Sequence, residues 1–171
     1  NERLEQVYRG LGEMQTLASG VGDLKKVLSN VKTRGILGEV QLAAILREIM
    51  APEQYETEVR VRPDSRNVVE FAVKIPSDSG FIYLPIDSKF PGETYAKLRD
   101  AYETGDPELI SQCAKSLTAT IRAEAKSIKE KYIAPPYTTE FAVMFLPFEG
   151  LYAEVVNRGM VEVLQREYNV N

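Results

Sequence analysis

The chain contains no histidine. That absence removes Ser-His triads, Cys-His nucleophiles and His-ligated zinc in one step. It leaves acid–base work to carboxylates, lysine, tyrosine or metal-activated water. Cysteine is nearly as scarce. Cys113 alone excludes a disulfide within the chain and any multi-cysteine zinc site, and its apolar neighbours on a predicted helix read it as a buried core thiol. Positive charge is not in excess either: 21 Lys and Arg against 25 Asp and Glu give a net charge of −4. This argues against a general electrostatic nucleic-acid binder, so any DNA contact must come from a local patch. No phosphate-loop or dinucleotide glycine pattern is present. Nor is there a signal peptide or an apolar run long enough to span a bilayer. The chain as given reads as cytoplasmic and without membrane contact. Its 171 residues, 44% of them hydrophobic, suffice for one α/β domain with a real core.

What is present centres on Leu84-Pro85-Ile86-Asp87-Ser88-Lys89-Phe90-Pro91. As a strand it puts Leu84, Ile86, Ser88 and Phe90 on one face and Asp87 and Lys89 on the other. A lone Asp-x-Lys is usually a solvated strand face. The neighbouring stretch changes that reading. Asn67 to Pro76 is rich in β-branched residues and alternates again, with Val69, Phe71, Val73 and Ile75 opposite Glu70. Ser77-Asp78-Ser79-Gly80 is turn chemistry. In an antiparallel hairpin, paired residues are equidistant from its centre, and the midpoint of Glu70 and Asp87 falls between Asp78 and Ser79. The two carboxylates are therefore expected as cross-strand neighbours, where like charges repel. A divalent cation such as Mg²⁺ relieves that repulsion by taking carboxylate oxygens. Lys89 beside them would stabilise developing charge or orient a metal-bound water. Asp64 is the alternative first ligand. Its midpoint with Asp87 lies between Ile75 and Pro76, before the turn residues begin, so Glu70 is preferred.

Around this hairpin, residues 1–32 carry a near-heptad apolar stripe: Leu4, Val7, Leu11, Met14, Leu17, Val21, Leu24, Leu28 and Val31. That spacing predicts a coiled-coil-like helix and self-association. Residues 33–171 form the expected α/β domain. Its first helix places Leu42, Ile45, Leu46 and Ile49 on one face. Gly35 and Gly38 each cost about 1 kcal/mol there relative to Ala, which suggests a close approach. Glu39 follows the second glycine and could reach the hairpin site, though a first-turn Glu also complements the helix dipole. A strand is expected from Tyr55 to Arg62. Arg60, Arg62 and Arg66 are the densest basic cluster near the site; they suit phosphates, and equally a salted edge strand. Asp106 should cap a long helix opening at Pro107, with Ile110, Cys113, Leu117, Ile121, Ala125, Ile128 and Tyr132 as its buried stripe. Its basic face of Lys115, Arg122, Lys126, Lys129 and Lys131 reads as solvated. Phe141 to Leu146 fits a buried central strand, with Glu149 at its carboxyl end, where open α/β sheets keep their sites. Asn169-Val170-Asn171 looks like the start of another strand, as in a piece of a longer protein.

Four stretches resemble the RmuC family of bacterial DNA recombination proteins: Thr33-Arg34-Gly35 with Gly38-Glu39, Arg62-Pro63-Asp64, Ile86-Asp87-Ser88-Lys89-Phe90-Pro91, and Phe145-Leu146-Pro147-Phe148-Glu149. The resemblance implies a restriction-endonuclease-like mixed sheet flanked by helices, of the PD-(D/E)xK superfamily, that binds Mg²⁺. By position Asp87 and Lys89 become its Asp-x-Lys signature and Glu39 its helix-borne acid. Here Ser65-Arg66-Asn67 intervene between Asp64 and the strand, which leaves Asp64 or Glu70 as the remaining ligand. Full-length relatives resemble membrane-anchored proteins with a following coiled coil. The reading is a Mg²⁺-dependent DNA nuclease, with Mn²⁺ able to substitute. Its rivals are a DNA-binding module that does not cut and a coiled-coil scaffold.

Overall fold

The structure, a computed structural model, describes residues 4–14 and 31–171, and of 31–36 the backbone alone. Contacts divide the chain into two units, residues 1–34 and 35–171. In the first, residues 4–14 form helix α1, on which Leu4, Val7, Leu11 and Met14 are all exposed. Leu17, Val21, Leu24 and Leu28 lie outside the described residues. No helix among the described residues is long and apolar enough to cross a membrane.

The second unit is a four-stranded mixed sheet between helices. Helix α2 (Val31–Ile49) leads through a 3₁₀ turn (Pro52–Gln54) to strands β1 (Tyr55–Val59), β2 (Val69–Ser77) and β3 (Gly80–Ser88). Helices α3 (Gly92–Thr104) and α4 (Pro107–Tyr132) then cross to β4 (Val143–Phe145), followed by α5 (Glu149–Asn157) and α6 (Met160–Tyr168). The sheet order is β1-β2-β3-β4, with β4 parallel to β3 and the other pairs antiparallel. A crossover of two helices is what a parallel β3–β4 pair requires.

Two apolar cores hold the sheet. Leu42 and Leu46 of α2 pack with Phe71, Val73 and Ile86 on one side. Leu98 of α3, the α4 stripe, Leu151 and Val155 of α5, and Met160 and Leu164 of α6 pack with Ala72, Ala142 and Met144 on the other. Asp106 caps α4 as expected, accepting from the Glu108 N–H at 3.0 Å.

Five expectations are corrected in detail. Helix α2 buries the i, i+4 row of Gly38, Leu42 and Leu46, leaving Ile45 and Ile49 exposed. Cys113 is only half-buried, because the stripe of α4 centres on Ala114 rather than on Cys113. Strand β1 stops at Val59, short of Arg62, since Glu58 takes a left-handed backbone conformation (φ 51°). Across from that break Val69 joins the α3–α6 core while Phe71 joins the α2 core. The face of β2 therefore changes at Glu70 rather than alternating through it. The apolar run before Glu149 pairs over only three residues, Val143–Phe145. Val170 bridges Ala142 in parallel, so the last residues do pair as an additional strand-like segment beside β4.

Candidate functional site

The hairpin register builds the site. Phe71 pairs with Ile86 and Ala72 with Pro85, so the next rung sets Glu70 opposite Asp87. The turn at Asp78-Ser79, followed by Gly80 at φ 118°, fixes this register. Lys89 lies just past the end of β3, its backbone N–H donating to the Phe145 carbonyl at 3.0 Å.

The two acids on this rung have different surroundings. Glu70 is half-buried, and its Oε2 accepts the Ser88 N–H at 3.0 Å. The Glu39 side chain lies close enough to act on it electrostatically. Burial pushes the Glu70 carboxyl up to about 7; the Ser88 N–H opposes this, and the charges of Asp87 and Glu39 add to it. Glu39 and Glu70 line a cavity of about 350 Å³ together with Thr57, Glu58, Val68 and Phe71.

Asp87 is 2% exposed. Lys89 Nζ lies 3.2 Å from its Oδ2 and 3.4 Å from Glu124 Oε2 on α4. The first contact is an ion pair, and it is the polar contact that the buried Oδ2 has among the described residues. Burial raises the Asp87 carboxyl above its ordinary value, and the Lys89 ammonium only partly opposes that. Lys89 is itself raised: desolvation pulls it down, but Asp87 and Glu124 outweigh this.

Helix α2 reaches the site through a close contact. A Cβ on Gly38 would collide with Ser88 Oγ and touch Pro147 at 3.5 Å. The bare glycine lets the helix approach the end of β3 and holds Glu39, the next residue, over Glu70. Phe90 and Phe148 stack nearby with ring centroids 4.6 Å apart. Arg62 Nη1 donates to the Glu130 carbonyl at 2.8 Å near the end of α4.

A cation would suit part of this arrangement. A buried carboxylate oxygen held by one ion pair, beside a second carboxylate on the same rung, is what a hard cation can satisfy further. Among the described residues no three acid side chains converge closely enough to hold a metal by themselves. Mg²⁺ is commonly held by one or two carboxylates, waters and a substrate phosphate. Glu70 and Asp87 would supply those carboxylates, with Glu39 bordering them.

The remaining expected residues separate clearly. Asp64 sits in an exposed turn, 3.5 Å from Arg62, and takes no part in the Glu70–Asp87 rung. Glu149 opens α5, exposed, with no hydrogen bond or ion pair among the described residues. Arg62 is engaged by Glu130 and Asp64. Arg60 and Arg66 are exposed and unpaired among the described residues. Three participants escaped the sequence reading. Ser88 supplies the N–H to Glu70, and Glu58 stands level with Glu70 across the β1–β2 ladder. Glu124 borders the buried stripe of α4, three residues after Ile121 and four before Ile128. That position at the edge of the apolar face was its only signal.

A family model described as the RmuC family matches residues 1–171. The chain belongs to the RmuC family. Two curated relatives, each named "DNA recombination protein RmuC homolog", come from Xylella fastidiosa strains Temecula1 and 9a5c. Each is 56% identical over 174 residues, covering 99% of this chain and 38% of the relative. The chain thus spans well under half the length of those relatives. No solved structure matches it. Within this RmuC chain three of the four resemblance stretches meet at the end of the hairpin. Gly38 leaves no room for a Cβ against Ser88, and Phe90 packs on Phe148, while Arg62 ties β1's exit to α4.

Proposed function

We propose that this RmuC chain is a metal-dependent DNA nuclease domain acting in DNA recombination. The observation that supports this most is the rung that pairs Glu70 with Asp87 beside Lys89, with Glu39 delivered from α2. The name of the relatives supports the recombination setting. In this reading Glu70 and Asp87 hold Mg²⁺, or Mn²⁺ in its place. When bound, such an ion supplies charge neutralisation at the phosphate and a more acidic water. Lys89 presents its ammonium to the phosphate and offsets negative charge as it develops. Glu39 acts through Glu70, whose carboxyl its charge helps to raise. Arg60 and Arg66, unpaired and exposed, contact flanking DNA phosphates, with Arg62 fixing the loop that carries them.

Incubating the chain with linear, nicked and branched DNA tests the reading, with Mg²⁺, with Mn²⁺ and with chelator. Cleavage that needs the metal is expected. Binding to these substrates without cleavage on any of them would establish instead a nuclease-like module that recognises DNA without cutting it.

The exposed stripe of Leu4, Val7, Leu11 and Met14 on α1 supports a second proposal, self-association through residues 1–32. Deleting those residues should lower the mass measured by light scattering. An unchanged monomeric mass before and after deletion rules it out.

A further inference from the structure

Lys89 has two carboxylate partners where one would neutralise it. Asp87 is buried, and its ion pair with Lys89 is 3.2 Å long. Glu124 comes from α4, opposite the helix that brings Glu39, and its carboxylate lies 3.4 Å from the same ammonium. The side chains of Lys89 and Glu124 are 29% and 34% exposed, so their contact is open to solvent beside buried Asp87. Glu124 makes no other ion pair or hydrogen bond among the described residues. Its backbone is fixed, because Ile121, Ala125 and Ile128 around it are buried in the α3–α6 core.

We infer that Glu124 is the positioning residue for Lys89, the group that keeps the ammonium in the site when a divalent cation occupies the Asp87 oxygens. The inference rests on the nuclease reading above. Without a cation, the Lys89 charge compensates buried Asp87. With one present, the ammonium is repelled from the carboxylate it had neutralised. A free lysine side chain, with four rotatable bonds and strong hydration, would then swing into solvent. Glu124 offers it a place to stay, since the ammonium already lies 3.4 Å from its carboxylate and 3.2 Å from that of Asp87. The same carboxylate therefore does two things: it draws Lys89 off the cation's ligand, and it holds Lys89 where a phosphate arrives.

Two consequences distinguish this from a merely structural acid. Glu124→Gln leaves the ammonium with Asp87 alone, so the ammonium competes harder for the Asp87 oxygens. Mn²⁺ affinity of the full chain without DNA, measured by calorimetry, should weaken about fivefold, the equivalent of about 1 kcal/mol for one partly exposed ion pair. Glu124→Asp, which keeps the charge, should recover most of that affinity. In a Lys89→Met background there is no ammonium to redirect, and Glu124→Gln should leave Mn²⁺ affinity unmoved. Cleavage should follow the same pattern: Glu124→Gln lowers kcat by about tenfold with KM for DNA unchanged, since Lys89 acts on developing charge.

A fivefold loss that persists in the Lys89→Met background overturns the inference, because Glu124 would then act on the cation simply as a nearby charge. Equal Mn²⁺ affinity in wild type and Glu124→Gln overturns it as well, even if the variant melts at a lower temperature. The parent reading fails separately: a wild-type chain that binds no Mn²⁺ removes the cation site itself, and the inference with it. Should Lys89→Met fail to fold, Lys89→Gln, which keeps a polar side chain but no charge, serves as the background in which Glu124→Gln must leave Mn²⁺ affinity unmoved.

Discussion

The α2 side and the α4 side of the hairpin end solve the same electrostatic problem in opposite ways. Each places one acid of the Glu70–Asp87 rung in a poorly hydrated position, and burial raises both carboxyls. On the α4 side the problem is met in part within the chain: Lys89 supplies a full positive charge, shared with Glu124. On the α2 side it is left open. Glu39, Glu58 and Glu70 line one cavity, and the help available to Glu70 is a single backbone N–H from Ser88. A neutral N–H offsets far less charge than an ammonium does. The α4 side is therefore built to hold a charged group in position, and the α2 side to gain from charge that arrives from outside.

The largest expected effect tests whether both sides serve one site. Asp87→Asn keeps the shape of the side chain and removes its charge. In the nuclease reading it should reduce Mg²⁺-dependent cleavage by at least about 100-fold. Its melting temperature should hold or rise, because a buried charge is lost while Lys89 keeps Glu124. Glu39→Gln, on the open side, should cost less, about tenfold, since Glu39 acts through Glu70. Cleavage left intact in Asp87→Asn would show that the compensated side is structural only.

The next effect is on stability, and it concerns how α2 is brought to the sheet. Gly38→Ala would gain up to about 1 kcal/mol of helix propensity. Against this, a Cβ there meets Ser88 Oγ, and overpacking costs about 1–3 kcal/mol. The overpacking term is the larger, so the melting temperature should fall, by about 2–4 °C per kcal/mol for a chain of this size. Adding Ser88→Ala removes the colliding oxygen and should restore it. A single Gly38→Ala variant that melts higher than wild type would mean that the close approach does not hold.

Gly38 and Ser88 also show how much could be read in advance. The glycine announced that something comes close, and the hairpin midpoint placed Glu70 against Asp87. Both follow from local rules, helix propensity and turn position, which a sequence displays. The partners of these residues follow from which elements the two cores bring together, and no local pattern encodes that. Glu124 looked like one more polar residue on a helix with a basic face. Glu58 looked like an ordinary member of an alternating strand. Its left-handed backbone (φ 51°) ends that alternation, a departure that a non-glycine residue does not advertise. Ile45 and Ile49 were misplaced for a related reason: apolar spacing defines a broad helical face, and the Gly38 contact selects one row within it.

The smallest effect is the pH dependence of stability carried by the open side. The Glu70 carboxyl is raised from the ordinary 4.5 to about 7, first by burial and then by Asp87 and Glu39. The folded chain thus holds this proton more tightly than the unfolded chain does. Below 4.5 both states are protonated and the contribution of Glu70 is fully present. Between 4.5 and about 7 the unfolded chain ionises first, so that contribution declines as pH rises, and above about 7 it changes no further. Glu70→Gln mimics the protonated form at every pH. The melting temperature of the variant relative to wild type should therefore climb between pH 5 and pH 7.5 without divalent cation. The rise should amount to a few degrees, because Glu70 is only half-buried and solvent screens part of the cost. Millimolar Mg²⁺ should flatten the wild-type slope if the open side takes the cation, and leave Glu70→Gln unaffected. A difference between the two proteins that stays constant from pH 5 to 7.5 would mean that the Glu70 carboxyl is as well compensated as Asp87, and the contrast between the two sides would collapse.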